Sequence, residues 1–297
     1  MEGQGSIGVE DSELSRVRDI KVAMVCMHSE IGEVAGNLAK VESYTSQASD
    51  KGVEIICFPE LSLSGYTLSN PQKAYVGLRT EEVVETIVQT AKQKGIIVIA
   101  GLIEPSTKRK PYISQIVAGP QGLLGLYRKT HLSPLEKGVY LEGEKIQIFS
   151  SNAVSFGIQL CYESHFPEIS TVMALKGAEI IFLPHASPRG SPEEKLESWR
   201  RHLPSRAFDN SVFVLACNQV GETSEGFSFP GVALALAPTG EMVESYCGKD
   251  EQMITVSLQR EKLEEVRKHK MKYFLRHRRP RLYAEIASPV SRLNREL

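Results

Sequence analysis

Apolar runs of strand length alternate with helix-like segments along most of this chain, and the alternation occurs twice. Strand-like runs at residues 21–26, 54–58 and 95–102 are separated by helix-like segments at 33–51 and 80–94. In such a rhythm each strand buries its faces under a neighbouring helix. It restarts with a strand at 154–160, a helix at 166–176, a strand at 179–183, a helix at 192–208 and a strand at 211–217. Between the halves, strands at 112–117 and 123–127 flank Gly119-Pro120-Gln121-Gly122, a turn sequence that introduces antiparallel pairing. Strands at 232–237, 241–246 and 252–257 and a helix at 261–270 complete the pattern. The implied class is α/β, with two mixed sheets covered by helices.

No stretch rich in glycine, serine or proline divides the chain, so one domain over 20–272 is expected, between a polar tail at 1–19 and an arm at 273–297. A formal charge of −1, from 35 basic and 36 acidic residues, provides no field that would draw nucleic acid or an anionic membrane. Apolar runs fall far short of the roughly 20 residues that span a bilayer. The N-terminal segment lacks the apolar core of a secretion signal. Five cysteines without a CxxC pair argue against a disulfide framework or a thiolate metal site and fit a reducing cytoplasm. Three of them, Cys26, Cys57 and Cys217, lie in apolar runs and read as small buried hydrophobes.

Three apolar runs each end with a reactive side chain. They are Phe58-Pro59-Glu60, Tyr127-Arg128-Lys129 and Gly157-Ile158-Gln159-Leu160-Cys161. Proline stops the first strand and leaves Glu60 at its carboxyl edge, where sites in open α/β sheets form. Cys161 stands at a strand-to-helix turn, where backbone N–H groups and a nearby cation are expected to lower its thiol pKa. A thiol, a carboxylate and an ammonium suffice for attack, proton transfer and oxyanion stabilisation. Seven residues beyond Lys129, Glu136 could return to the lysine. A cysteine–histidine pair is the alternative, with His131, His165 and His185 the nearest candidates.

From about residue 21 to 283 the chain resembles the nitrilase superfamily of carbon–nitrogen hydrolases. Phe58-Pro59-Glu60-Leu61-Ser62-Leu63-Ser64-Gly65-Tyr66 is similar to the family's glutamate segment and Tyr127-Arg128-Lys129-Thr130-His131-Leu132 to its lysine segment. Gly157 to Glu168 resembles its nucleophile elbow, and Arg206 to Val214, followed by Asn218-Gln219-Val220-Gly221, its long helix and next strand. The resemblance implies a four-layer α-β-β-α sandwich and a catalytic set of Glu60, Lys129, Cys161 and Glu136. The backbone N–H of Tyr162 would join Lys129 in holding the oxyanion. No metal or organic cofactor is implied, and the partner is a small-molecule substrate.

Where relatives often carry Asn-Pro, this chain reads Pro184-His185-Ala186-Ser187-Pro188-Arg189. His185 and Ser187, with Tyr66 and Tyr162, are expected to line the substrate site, a structural role for His185 remaining open. Arg189 and Arg276 are candidates to hold the carboxylate of an acidic substrate. A linear amide or N-carbamoyl compound is the expected substrate, with a nitrile as the alternative. A binding or scaffold protein that keeps the sandwich without turnover is the alternative of a different class. The resemblance also implies a homodimer or larger even oligomer, with the arginine-rich segment at 273–283 docking on a neighbouring subunit.

Overall fold

The computed structural model describes residues 18–72, 74, 80–151 and 153–287. Most of the N-terminal tail and the last ten residues of the C-terminal arm lie outside these.

The first sheet runs in the order β14-β1-β2-β3-β4-β5. Its strands are β1 (Ile20–Cys26), β2 (Ile55–Cys57), β3 (Ile97–Glu104), β4 (Tyr112–Gly119), β5 (Gly122–Arg128) and β14 (Gln252–Leu258). The second runs β13-β12-β9-β8-β7-β6. It comprises β6 (Ile148–Ser150), β7 (Ser155–Ile158), β8 (Ile180–His185), β9 (Phe213–Asn218), β12 (Gly231–Leu236) and β13 (Met242–Gly248). Both have a parallel centre, β1-β2-β3 or β7-β8-β9, with antiparallel strands outside it. The doubled rhythm of the sequence is thus a doubled sheet topology. β14 follows β13 of the second sheet yet pairs with β1, from Ile20 opposite Leu258 to Cys26 opposite Gln252.

Strand periodicity sorts the layers. Val22, Met24 and Cys26 of β1 face the core between the sheets, whereas Ala23 and Val25 pack under α1 (Val34–Asp50) and α2 (Thr80–Lys94). Helix α1 supplies Val34, Val41 and Ala48 to that outer core, and α2 supplies Val83, Ile87, Val88 and Ala91. On the far side lie α3 (Pro167–Leu175), α4 (Pro192–Arg200) and α5 (Leu203–Asn210). The architecture is the four-layer α-β-β-α sandwich expected from the sequence.

The helix expected over 192–208 is two helices. Pro204 lacks an N–H to continue the ladder and sits in the first turn of α5, after His202 leaves helical geometry at φ −133°. Strand β6 and the two-residue strands β10 (Gly221–Glu222) and β11 (Ser228–Phe229) were not expected; none is long enough to show a period. After α6 (Arg260–Lys268) the chain runs through short 3₁₀ turns to Ala287. Among the described residues no helix is long and apolar enough to cross a membrane.

Candidate active site

The site gathers at the carboxyl ends of the parallel strands of both sheets, where loops leave the ladder and side chains are free to converge. Past β2 the chain turns at Pro59-Glu60-Leu61, with Leu61 at φ 56°, a conformation that costs a non-glycine residue about 1–3 kcal/mol. Gly101 of β3 lets this turn lie flat on the sheet, since a Cβ there would stand 2.3 Å from the Leu61 nitrogen. Leu63 N–H donates to the Gly101 carbonyl at 2.7 Å and the Ser62 hydroxyl accepts from Gly101 N–H at 3.0 Å. Glu60 is held where β2 delivers it.

Lys129 follows β5 directly and its backbone still donates to Ile113 of β4, so its side chain is aimed by the sheet. Its Nζ donates to Glu60 Oε1 at 2.8 Å and to Glu136 Oε1 at 2.9 Å, and the ammonium is completely buried. The second oxygen of Glu136 accepts from Ser133 N–H at 2.8 Å, which closes the turn that returns Glu136 to the lysine. The second oxygen of Glu60 accepts from Ala186 N–H at 3.0 Å, just beyond β8. Gln219, past β9, donates to the Glu60 carbonyl at 2.8 Å. Glu60 therefore ties the first sheet to two loops of the second, to one through its carboxylate and to the other through its backbone carbonyl.

Two carboxylates share one ammonium, so the cluster carries one excess negative charge when all three are ionised. Burial raises the Glu60 carboxyl above its ordinary range; Lys129 lowers it and Glu136 raises it again. Burial alone would pull the Lys129 ammonium down, but Glu60 and Glu136 hold its pKa well above the usual lysine value. The arrangement keeps a cation fixed and a proton acceptor ready.

Cys161 opens a 3₁₀ turn (Cys161–His165) beyond β7 with φ 45°, a second strained residue at a strand end. The turn is fastened by Glu163, a buried carboxylate whose Oε2 accepts from Leu160 N–H at 2.6 Å. Its Oε1 accepts from Thr130 N–H at 2.6 Å and the Thr130 hydroxyl at 2.5 Å, and the Tyr127 hydroxyl lies 3.0 Å from both oxygens. Glu163 thus staples the cysteine turn to the strand end that carries Lys129. The expected lowering of the thiol pKa is overturned. Burial pushes the Cys161 thiol well up, Glu60 and Glu136 push the same way, and Lys129 and Lys195 only partly offset them. At rest the sulfur keeps its proton.

Cys161 and Glu136 open onto a cavity of about 810 Å³. Tyr66, Tyr162, His185 and Ser187, the four expected lining residues, all border it. Glu60 and Lys129 lie behind the wall, fully buried. Burial drives His185 well below the usual histidine range; its Nδ1 lies 2.7 Å from the Leu183 carbonyl and its ring sits 4.4 Å from that of Trp199. His165 stacks on His202, and His131 contacts the Thr130 hydroxyl and the Phe166 ring. Among the described residues no histidine hydrogen-bonds the Cys161 thiol, and no three histidine, cysteine or acidic side chains converge to hold a metal. Arg276 lies over the Tyr273 ring, apart from the cavity wall, whereas Arg189 borders it.

Lys195, unnoticed in the sequence, also reaches the cavity. Ser191 caps α4 by accepting from Glu194 N–H, Pro192 starts the helix, and Lys195 stands four residues before the buried Trp199 on the same face. Its Nζ donates to the Ser187 hydroxyl at 2.8 Å and the Pro188 carbonyl at 3.3 Å. The spacing to the chain's single tryptophan was the available signal.

The sequence profile described as carbon-nitrogen hydrolase matches residues 21–268. The chain is 31% identical over 272 residues to an N-carbamoylputrescine amidase of Solanum tuberosum, covering 84% of this chain and 89% of that one. It is 29% identical over 238 residues to a nitrilase of Pyrococcus abyssi, covering 79% and 87%. Among solved structures, a carbon-nitrogen hydrolase from Helicobacter pylori superposes with a TM-score of 0.81 at 24% identity, covering 91% of this chain and 99% of that one. An amidase from Nesterenkonia sp. gives 0.77 at 22%, covering 91% and 97%. With one sheet-end cluster matched by family likeness over most of the sequence, this chain belongs to the carbon-nitrogen hydrolase family.

Proposed function

We propose that the chain hydrolyses the C–N bond of a small linear amide or N-carbamoyl compound through a thioester on Cys161. The observation that carries this reading is the buried Lys129 ammonium gripped by Glu60 and Glu136 beside a thiol that opens on a cavity. As the sulfur attacks the carbonyl carbon, its proton passes to Glu60, which removes the excess negative charge of the cluster. The negative charge now on the substrate oxygen is met by Lys129 and by the backbone N–H of Tyr162, near the start of the 3₁₀ turn where N–H groups lack partners within the turn. Glu60 then gives the proton to the departing nitrogen, the C–N bond breaks, and a thioester remains. A water that loses its proton to Glu60 attacks the thioester, and that proton returns to the sulfur as acid is released.

The raised thiol pKa favours passage of the proton to Glu60 in step with attack. Glu136, a carboxylate on the cavity wall, can accept a hydrogen bond from an amide or urea nitrogen; a nitrile nitrogen has no proton to offer. That favours amide over nitrile chemistry. The reading is tested by ammonia release from pooled amides, N-carbamoyl amines and nitriles, with Cys161→Ala as control. Release from amides or carbamoyl compounds that vanishes in the variant supports it. Release from nitriles alone, or none from any pool with an unmodifiable Cys161, would favour a nitrilase or a binding protein respectively.

The same reading places the protein in the cytoplasm, in keeping with five unpaired thiols, and pairs two copies. Leu175 of α3, Phe208 of α5 and Phe274 expose apolar side chains, with Phe208 and Phe274 in ring contact. Light scattering after size exclusion distinguishes a monomer from a dimer.

A further inference from the structure

The proposed hydrolase leaves open what the substrate carries at its far end, and the cavity's charges bear on that. At the reacting end Lys129 is matched by Glu60 and Glu136. Further along the wall stand Lys195 and Arg189, and among the described residues no carboxylate forms an ion pair with either. Lys195 is half-buried, and its ammonium meets only two neutral oxygens, those of Ser187 and Pro188. An ammonium has three donors, so one remains for a ligand. The three histidines on the same wall, His165, His185 and His202, are bases that carry no negative charge in either protonation state.

Holding a partly desolvated cation without a counter-ion is unfavourable, and burial indeed lowers the Lys195 pKa. Lys195 is also close enough to the thiol for the two to influence each other's ionisation. Both border the same cavity, so one small ligand can reach both. Its position is built, not accidental: the Ser191 cap and Pro192 set the start of α4, and the side chain of Asn218 grips Ser187 by accepting from its N–H at 2.8 Å and donating to its carbonyl at 3.1 Å. The Ser187 hydroxyl in turn accepts from Lys195.

We propose that Lys195, with Arg189 beside it, binds a carboxylate at the far end of the substrate, so that the preferred substrate is a short linear monoamide or N-carbamoyl compound of a carboxylic acid. This rests on the hydrolase reading above. A neutral end forgoes the ion pair, and a cationic end meets two like charges.

Three amides with the same three-carbon spacer separate the possibilities: glutaramate, pentanamide and 4-aminobutanamide. For the wild-type protein, kcat/KM for glutaramate should exceed that for pentanamide by roughly 10- to 100-fold, the range of a charge-assisted hydrogen bond. Most of the gain should lie in KM, and 4-aminobutanamide should be poorest. In Lys195→Met the glutaramate-to-pentanamide ratio should collapse by about the same factor, while Lys195→Arg should retain most of it. Equal wild-type rates on the three amides, or a Lys195→Met variant that slows glutaramate and pentanamide alike, would overturn the proposal and mark Lys195 as structural.

Binding keeps the two readings apart. Calorimetric titration of Cys161→Ala with glutaramate and pentanamide, and of Cys161→Ala/Lys195→Met with the same ligands, requires no turnover. Selective glutaramate binding lost in the double variant upholds the carboxylate site even if no amide is hydrolysed, a result that would count against the hydrolase alone. Equal binding of both ligands to Cys161→Ala overturns the carboxylate site whatever the turnover.

Discussion

Glu163→Gln keeps the shape of the staple between the cysteine turn and the lysine strand while removing its charge. Glu163 accepts from Leu160 N–H at 2.6 Å on one oxygen, from Thr130 N–H and the Thr130 hydroxyl on the other, and from Tyr127. A glutamine has one carbonyl oxygen. If that oxygen takes the Thr130 side, its NH₂ confronts Leu160 N–H, and the reverse flip confronts Thr130. Either way at least one charge-assisted bond, worth about 1.5–3 kcal/mol, is lost and a buried donor is stranded at about 1–3 kcal/mol more. Relief of the burial that raises the Glu163 carboxyl offsets part of this, so the net cost should be about 2–4 kcal/mol. Leu160 immediately precedes Cys161, and misplacement of an attacking atom by about 1 Å can cost 100-fold. Urea melts would read the stability loss, and the rate of amide hydrolysis per folded molecule the misplacement. A variant within about 0.5 kcal/mol of wild type and as active would refute the staple. Tyr127→Phe, which removes one of the donors, should show a milder loss of about 1 kcal/mol.

Gly101→Ala should cost about 1–3 kcal/mol and lower turnover, because its Cβ would press on the backbone that carries Glu60; unchanged circular-dichroism melting and unchanged kcat would show that the turn can yield. Lys129→Met leaves Glu60 and Glu136 buried without their cation and should cost about 3–5 kcal/mol near pH 8. Because the Glu60 carboxyl is already raised in the folded chain, that variant should be more stable at low pH and lose stability as pH rises through the raised pKa. Urea melts at pH 5.5 and 8 check the sign. His202 is pushed down to about 4, first by burial and then by His165. The unfolded chain binds this proton below about pH 6.5 and the folded one does not, so stability should fall as pH drops from about 6.5 to about 4. With the ring partly open to solvent the loss is about 1–2 kcal/mol, and His202→Gln should flatten that part of the stability-versus-pH curve.

The sheets and the reactive set were legible because they rest on local signals. Strand periodicity gives β1, β3 and β8, and Pro59 marks the end of the strand that presents Glu60. What escaped depends on contacts between distant segments. The break between α4 and α5 hinges on Pro204 after His202 leaves helical geometry, and β6, β10 and β11 exist only because a partner strand lies alongside. The thiol was expected low because a turn and a lysine were visible. Its pKa is set instead by burial and by Glu60 and Glu136, whose convergence on the same cation joins three segments. Glu163 looked like one more charged residue beside Cys161, and its role emerges only when Thr130 arrives from the first sheet. Lys195 drew no notice in the sequence, because the Ser187 hydroxyl and Pro188 carbonyl that it meets come from the loop before its helix.

The most direct test of the thioester account is intact-protein mass spectrometry of rapidly quenched mixtures of a turned-over amide with wild type, Cys161→Ala and Glu60→Gln, followed by peptide mapping. The account predicts an acyl mass on wild type that maps to Cys161, none on Cys161→Ala, and slowed formation on Glu60→Gln. An acyl mass on another residue, or amide turnover that survives Cys161→Ala, would contradict it.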